Sequence, residues 1–386
     1  MDLFSDAVRR DPYPLYDAMR RESPVLHVPP PFDGWMIFDH DGVKRALFDH
    51  EAFSSQVPAP RHWFIFTDPP IHTKLRGLIS RAFTPRTVAA LEPCIRTFTR
   101  GLLDQALESG IMDMAADFAV PLPAKVIATM IGIPVTDWPQ FKTWMDAIMK
   151  LSFTRSGGEA AEQGMKEFAA ASSSMNEYLG GMIAERRARP QDDLLTRLME
   201  PGPGGETLSQ PEILGFFQVL VVAGQETTTN LINNAILCFL EHPDQLRLLR
   251  SRPTLLPSAI EEVLRFRSPL QWTMRTPRRD IEMHGRTIPA GKLVLPMLGS
   301  ANRDGTVFTD ANRFDITRNP NPHIAFGHGI HFCLGAALAR TEAAIALTEF
   351  LERVSHFEWA ENTPWQPRQA LNVHGPASLR LRIRKA

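Results

Sequence analysis

The feature that most constrains the fold is an apolar stretch, residues 217–240, with the sequence FQVLVVAGQETTTNLINNAILCFL. Both halves are apolar enough to form a buried helix, but the segment from Gln225 to Asn230 contains a carboxylate and three hydroxyl groups. Burying such a group without a partner costs roughly 2–7 kcal/mol. Glu226 at the centre also argues against a helix that spans a bilayer. We therefore predict a long helix inside a soluble protein, with its middle facing something that needs polar contacts.

Composition narrows the class of protein. The chain has 386 residues, a formal net charge of −1 and 44% hydrophobic residues, which is ample material for a large core. A net charge near zero, without a run of Lys or Arg, gives no electrostatic reason to expect a nucleic-acid partner. Residues 1–16 carry charges throughout and lack the apolar run of a signal peptide. The three cysteines are too few for a disulfide framework. We expect a cytoplasmic protein with no membrane and no nucleic-acid partner.

Helical periodicity dominates the chain. A small β part is expected at about residues 24–40 and 280–297 and in the C-terminal region, with a hairpin that turns at His284-Gly285. No repeat and no flexible linker divides the sequence. We therefore predict one large domain over residues 1–386 that is mainly α with a small β part.

A second unusual stretch is NPHIAFGHGIHFCLGAALAR, residues 321–340. Cys333 comes directly before a strong helix, and a helix N-terminus stabilises a thiolate. Glycines allow tight turns and the close approach of a flat ligand to the backbone. A lone cysteine is more often a small buried side chain, so the functional interpretation depends on the longer pattern around it. That pattern is Phe326-Gly327-x-Gly329-x-His331-x-Cys333-x-Gly335.

This pattern closely resembles the haem-binding loop of the cytochrome P450 family. Glu262 and Arg265 match the family's Glu-x-x-Arg pair, and Arg313 matches the arginine that completes a triad with them. The matches occur in family order from residue 68 to residue 340, and the N-terminal segment is also similar to a typical bacterial start. The remaining matches are the oxygen-activation motif Ala223-Gly224-x-Glu226-Thr227-Thr228, and His72, Arg76 and Arg275 as contacts to the haem propionates.

The resemblance implies a cytochrome P450 fold, with haem b bound between the long central helix and the cysteine loop. Cys333 would be the thiolate ligand of the iron, and Phe326 would pack beside the sulfur. Glu226 and Thr227 would relay protons to bound O2, and the Thr227 hydroxyl would bond a carbonyl one turn earlier. Gly224 would let the helix pass close to the iron. The other cofactor-binding residues implied are His72, Arg76, Ala223, Arg275, Gly327, His331 and Gly335.

The substrate is expected to be apolar and of moderate size, and to be hydroxylated or epoxidised. Fatty acids, terpenoids, steroids and polyketides all remain open. An aromatic stripe is more often plain core than a pocket wall, so these residues are only candidates. A short roof loop, between Ser54 and Pro69, predicts an open and permissive pocket. The candidate lining residues are Trp63, Phe64, Phe66, Phe217, Leu220, Trp272 and Thr273.

Electrons are expected from a ferredoxin or flavodoxin with an NAD(P)H-dependent reductase, which would dock on the cysteine side of a monomer. Lys74, Arg81 and Arg340 are candidate contacts for it. Three alternatives stay open at this point: a peroxygenase driven by H2O2, a haem sensor or carrier without turnover, and a zinc protein. The zinc alternative uses the cluster of His323, His328, His331 and Cys333.

Overall fold

The computed structural model describes residues 5–30, 33–56, 62–149, 159–361, 365–368, 370 and 372–386. Most of these residues are helical, as predicted. The helices are α1 Asp6–Arg10, α2 Tyr13–Glu22, α3 His40–Phe48, α4 Ile71–Ser80, α5 Pro85–Ser109, α6 Pro121–Ile131, α7 Trp138–Met149, α8 Glu159–Ala188, α9 Leu194–Met199, α10 Gln210–Glu241, α11 Pro243–Ser251, α12 Leu256–Phe266, α13 Leu298–Ala301 and α14 Ala336–Arg353.

The β part consists of small sheets. The strands are β1 Val25–Val28, β2 Gly34–Ile37, β3 Phe53–Ser54, β4 Ile111–Asp113, β5 Thr276–Pro277, β6 Ile281–Met283, β7 Arg286–Ile288, β8 Leu293–Pro296, β9 Val354–Trp359, β10 Gln366–Pro367, β11 Pro376–Ser378 and β12 Arg380–Lys385. Most of them lie in the segments that the sequence predicts, but β3, β4 and β5 lie outside those segments. One sheet has the order β1-β2-β8, with β1 antiparallel and β8 parallel to β2. Another has the order β4-β12-β9, and the pairs β3-β5, β6-β7 and β10-β11 are two-stranded.

The predicted hairpin connects β6 and β7 through His284 and Gly285, whose φ angles are 50° and 69°. Two successive left-handed residues are what a tight two-residue hairpin turn requires. The local sequence was therefore sufficient to place this turn.

The long predicted helix is α10, and it runs without a break through the polar segment. The backbone N–H of Ser209 donates to the Glu212 carboxylate at 2.7 Å, which is one half of a capping box. Pro211 lies in the first turn, where it costs no hydrogen bond. The helix ends before Pro243, which cannot continue it.

The two apolar halves of α10 belong to different hydrophobic cores. Leu231 to Phe239 pack with α5, α12 and α14 in one core. Ile213 to Val221 pack with α7, α8 and α9 in the other. The polar middle of the helix lies where the two cores separate, so it can face a cavity without disrupting either core.

One described stretch, Met114–Ile131, has the length and composition of a membrane span, and 56% of it is buried inside the fold. It comprises a π-helical turn, Met114–Ala119, and α6. The Thr229 hydroxyl of α10 donates to the Ala119 carbonyl at 2.9 Å. The apolar side chains of this stretch belong to the two hydrophobic cores that also contain the halves of α10.

A buried ion cluster joins α12 to the chain that leads to the cysteine loop. Glu262 and Arg265 are both fully buried, and Arg265 Nε lies 2.7 Å from a Glu262 oxygen. The prediction that Arg313 completes this triad is wrong. Arg313 is exposed and contributes only its carbonyl, which accepts from Arg265. The second guanidinium comes from Arg318, whose Nε lies 3.2 Å from Glu262 Oε2.

We predict that Arg318→Ala destabilises the protein more than Arg313→Ala. Removing Arg318 leaves a fully buried carboxylate with fewer donors, which should cost roughly 2 kcal/mol. Arg313→Ala removes only an exposed side chain and should cost less than about 0.5 kcal/mol. Urea unfolding followed by circular dichroism measures both variants, and equal losses would contradict the assignment of Arg318.

Candidate active site

A large cavity separates the middle of α10 from the loop that precedes α14. Its volume is about 900 Å³, near the upper end of the range for ligand sites. Ala223 and Thr227 line it from α10, and Phe326 and Cys333 line it from the loop. The structure therefore brings together the two sequence motifs that are 106 positions apart (227 and 333) in the chain.

The geometry of the cysteine loop depends on its glycines. Gly327 and Gly329 have φ angles of 76° and 74°, which side chains rarely allow. A Cβ on Gly329 would also lie 2.9 Å from the Leu47 carbonyl oxygen. The Cys333 N–H donates to the Phe326 carbonyl at 2.9 Å, and this bond closes the loop. Cys333 lines the cavity, so the part of its surface that no other residue covers faces the inside of the protein.

The Cys333 sulfur lies close to an N–H group and to two arginines that act on its pKa. Burial raises the pKa of the Cys333 thiol, and the Gly335 N–H, Arg76 and Arg340 oppose that rise. A metal bound to the sulfur would deprotonate it outright.

Two histidines with unpartnered ring nitrogens and two arginines gather at one edge of the cavity. The rings of His72 and His331 are 4.1 Å apart, and the Nε2 atom of each is buried without a hydrogen-bond partner among the described residues. Arg76 and Arg275 line the cavity beside them, and each donates one N–H group to a backbone carbonyl, of Phe332 and of Met274 respectively. Burial and then the neighbouring Arg275 lower the pKa of His331 to about 2. Such a cluster suits an anionic ligand.

These residues fit a haem. Its two propionates would supply acceptors for His72, His331, Arg76 and Arg275. Its flat macrocycle would lie between α10 and the glycine-rich loop, and the Cys333 sulfur would be available to the iron.

The middle of α10 places the predicted acid and alcohol at the cavity. The Thr227 hydroxyl donates to the Ala223 carbonyl at 2.6 Å, as the sequence predicts. Glu226 is 5% exposed and also lines the cavity. Burial raises the pKa of Glu226 to about 7, and the Arg368 guanidinium opposes the rise. Gly224 leaves room for Ile127 of α6, because a Cβ there would lie 3.2 Å from Ile127 Cδ1.

The residues that the sequence predicts to line the cavity do line it, except for one. Phe217 is fully buried in the core and does not line the cavity, so that prediction is wrong. Phe216 lines it instead, because it shares a helix face with Leu220 and Ala223. The other predicted lining residues do line the cavity; they are Trp63, Phe64, Phe66, Leu220, Trp272 and Thr273.

The described part of the roof loop is closely held. Trp63 Nε1 donates to Gln218 Oε1 at 2.9 Å, and Gln218 Nε2 donates to Asn176 Oδ1 at 3.2 Å. A Cβ on Gly215 would lie 2.5 Å from the His62 carbonyl. The roof is therefore tied to α10 and α8 at residues 62–66, which argues against a loose, permissive pocket there.

Glu342 is a residue of the cavity that sequence reasoning missed. It lies in α14, is 2% exposed, and its Oε2 has no partner among the residues described. Burial raises its pKa to about 8. Its spacing in the sequence could have indicated its burial, because Glu342 shares a helix face with the buried Leu338 and Ile345.

The zinc alternative finds no support in the described part of the chain. No group of three or more His, Cys, Asp or Glu side chains is placed there to hold a metal ion. His323 instead pairs with Glu261 of α12, which also binds Arg340. Of the predicted docking residues, Arg340 is thus engaged with a carboxylate, and Arg81 donates to the Pro201 carbonyl.

Comparisons with known proteins agree with this site. The family model described as Cytochrome P450 matches residues 35–377. Putative cytochrome P450 YjiB of Bacillus subtilis is 42% identical over 361 residues, covering 92% of this chain and 90% of that protein. Cytochrome P450 monooxygenase PikC of Streptomyces venezuelae is 39% identical over 359 residues, covering 89% and 84%. The crystal structure of CYP109E1 from Bacillus megaterium in complex with testosterone is 38% identical, with a TM-score of 0.89, covering 96% and 99%.

The fold and the site fit the class of haem-thiolate enzymes. The chain belongs to the cytochrome P450 family and is a cytochrome P450 monooxygenase.

We predict that Arg275→Gln speeds the loss of haem. Arg275 is 4% exposed and lines the cavity, so its charge acts on a propionate with little screening. A hydrogen bond to a charged group contributes about 1.5–3 kcal/mol, which corresponds to at least about tenfold in the release rate. Transfer of haem to excess apomyoglobin measures that rate. The control is Arg86→Gln, an exposed arginine of α5; equal rates in the two variants would contradict the assignment.

Proposed function

We propose that this enzyme inserts one oxygen atom from O2 into an apolar organic substrate of moderate size, by hydroxylation or epoxidation. The observation that carries the proposal is the acid–alcohol pair, Glu226 and Thr227, lining the same cavity as Cys333. An oxygenase that cleaves O2 needs a supply of protons and a strongly electron-donating ligand to its metal; Glu226 and Thr227 would supply the first, and Cys333 would supply the second. The pair favours an O2-dependent enzyme over a peroxygenase or a sensor.

When haem is bound through the Cys333 thiolate, it supplies the binding and activation of O2. Thr227 then holds a proton donor at the cavity wall. Its hydroxyl hydrogen is occupied by the Ala223 carbonyl, so its oxygen is left to accept from a water. Glu226, the adjacent residue, can release a proton near neutral pH and take it up again.

The substrate class follows from the walls of the cavity. Trp63, Phe66 and Phe216 offer large aromatic surfaces, and Trp272 and Thr273 close another side. The relative CYP109E1 has been crystallised with testosterone. We propose that apolar molecules of about that size bind here, with steroids as the first class to test. A screen of steroids tests this proposal, with binding detected by the spin-state shift of the haem. If no steroid causes a shift, the proposal of a steroid substrate is wrong, and the other apolar classes are tested next.

The electrons are proposed to come from a ferredoxin or flavodoxin and its NAD(P)H-dependent reductase. We also propose that the enzyme is a monomer and is located in the cytoplasm. Turnover with purified ferredoxin and reductase, compared with turnover with H2O2 alone, tests the source of electrons. Faster turnover with H2O2 alone would favour the peroxygenase alternative.

We predict that Thr227→Ala keeps haem and substrate binding but diverts most electrons from product into H2O2. The loss removes the hydroxyl that holds the proton donor, with an expected fall in product per NAD(P)H of about tenfold. Thr227→Ser keeps the hydroxyl and is the matched control. Unchanged product per NAD(P)H in Thr227→Ala would contradict the relay.

We also predict that coupling falls as pH rises through about 7, because Glu226 then loses the proton it must donate. Product per NAD(P)H measured from about pH 6 to about pH 8.5 gives the midpoint. Glu226→Gln should abolish this dependence, whereas Glu92→Gln, at an exposed glutamate of α5, should leave it intact. A profile that is identical in all three proteins would remove Glu226 from the relay.

A further inference from the structure

Two hydrogen bonds in series join the roof loop, α10 and α8. The indole N–H of Trp63 donates to Gln218 Oε1 of α10 at 2.9 Å, and Gln218 Nε2 donates to Asn176 Oδ1 of α8 at 3.2 Å. Trp63 is 4% exposed and Gln218 is 7% exposed. An indole N–H can only donate, so Gln218 Oε1 must face Trp63 and Nε2 must face Asn176. The Gln218 amide therefore links the roof loop to α8 in one defined orientation.

Gln218 is an unexpected residue for its place in α10. It is the one polar residue between Ile213 and Val222 in the sequence, and this half of α10 lies in an apolar core. Burying an amide side chain without hydrogen bonds costs roughly 2–7 kcal/mol. An apolar side chain at this position would need no partner at all. Packing of the core therefore does not require Gln218, and its bond to Trp63 directs attention to the cavity.

The residue that Gln218 holds is part of the cavity wall. Trp63 and Phe66 both line the cavity, and their rings are stacked, with centroids 6.0 Å apart and an angle of 10° between the ring planes. Gln218 is buried behind this wall and does not line the cavity, so the Trp63 N–H is directed away from the cavity. A ligand therefore meets a flat aromatic surface, without a hydrogen-bond donor from Trp63.

The backbone of the roof loop is held against the same face of α10. Gly215 lies one turn before Gln218, and a Cβ on Gly215 would lie 2.5 Å from the His62 carbonyl oxygen. On the other side of α10, the bond to Asn176 engages α8, which contributes Phe168 to the cavity lining. Gln218 is thus placed to fix the position of the roof loop relative to α8.

We propose that Gln218 is a positioning residue that sets the substrate preference of the enzyme. By accepting from the Trp63 indole, and by tying it to α8, Gln218 keeps the stack of Trp63 and Phe66 as a flat apolar wall. A rigid polycyclic molecule can contact such a wall over a whole face, whereas a flexible alkyl chain must first lose rotational freedom. The wall therefore favours rigid polycyclic substrates over alkyl chains of equal carbon number. This inference rests on the proposed function, because it concerns the substrate of the same cavity.

The test compares two haem ligands that bind without turnover, N-phenanthrenylimidazole and N-tetradecylimidazole, whose substituents have equal numbers of carbon atoms. Their dissociation constants are measured in the haem-containing enzyme from the absorption shift on coordination. Gln218→Leu keeps the size of the side chain but removes the acceptor of the Trp63 indole. We expect it to weaken binding of the phenanthrenyl ligand about fivefold and to change binding of the tetradecyl ligand by less than about twofold. The control is Glu177→Ala, at an exposed residue of α8 next to Asn176, which should change neither constant.

A double-mutant cycle with Trp63→Phe shows whether Gln218 acts through the indole. Phenylalanine has no N–H group, so Gln218→Leu should leave the ratio of the two dissociation constants unchanged in the Trp63→Phe background. An unchanged ratio in Gln218→Leu alone would overturn the proposal. The same change of ratio in both backgrounds would also overturn it, because the effect would then not pass through Trp63.

Asn176→Ala provides a second route if Gln218→Leu does not fold. It leaves Gln218 Nε2 without its acceptor, so the ratio should shift in the same direction. The indole N–H signal of Trp63 in the NMR spectrum, assigned by its absence in Trp63→Phe, reports the hydrogen bond directly. We expect this proton to exchange with D2O faster in Gln218→Leu and in Asn176→Ala. Exchange at the wild-type rate in both variants would contradict the positioning role.

Binding of these imidazoles requires neither turnover nor a natural substrate, so the test fails separately from the proposed function. An unchanged ratio overturns the role of Gln218 even where steroids bind and are oxidised. If the ratio shifts as expected while no steroid binds, the steroid class is wrong, and the preference for rigid polycyclic molecules is confirmed.

Discussion

The constraint on which the structure depends is the burial of a polar turn inside an apolar helix. Ile213 to Val221 and Leu231 to Phe239 anchor α10 in two separate cores. The turn between them can exist only where the cores part and leave a polar-tolerant cavity. The chemistry of the site depends on this position of the turn. Glu226 and Thr227 are held on a helix rather than on a loop, and the Thr227 hydroxyl is fixed by its hydrogen bond to the Ala223 carbonyl. A helix of 32 residues gives those groups fixed positions relative to the opposite wall.

The opposite wall is built from a loop, and a loop needs outside support to hold a metal ligand in place. That support is the ion cluster of Glu262, Arg265 and Arg318, which is buried and satisfied by backbone carbonyls as well as by charge. A second pair, Glu261 with Arg340, ties α12 to the start of α14. Arg340 also covers the ring of Phe326 at 4.4 Å. Helix α12 therefore acts as the fixed frame against which the cysteine loop is set.

The sequence predicts features that depend on neighbouring residues. It does not predict contacts between residues far apart in the chain, or the rotation of a helix about its axis. The extent of α10, the hairpin at His284 and the glycine-rich loop follow from caps, turns and spacing, and the structure has them. Arg313 and Arg318 could not be told apart, because spacing does not reveal which guanidinium reaches a buried carboxylate. Phe216 and Phe217 are equally apolar neighbours, and only the rotation of the helix decides which one faces the cavity. Arg368 meets Asn230 across most of the C-terminal half of the chain, which no local pattern could indicate.

The central claim is that the Cys333 sulfur and the polar turn of α10 hold one haem between them. The absorption spectrum of the purified, reduced protein under carbon monoxide tests this most directly. We expect the red-shifted band of a thiolate-ligated haem, and we expect Cys333→Ser to lose this band while circular dichroism shows that the fold is retained. A folded protein that binds no haem, or a Cys333→Ser variant that keeps the thiolate band, would contradict it.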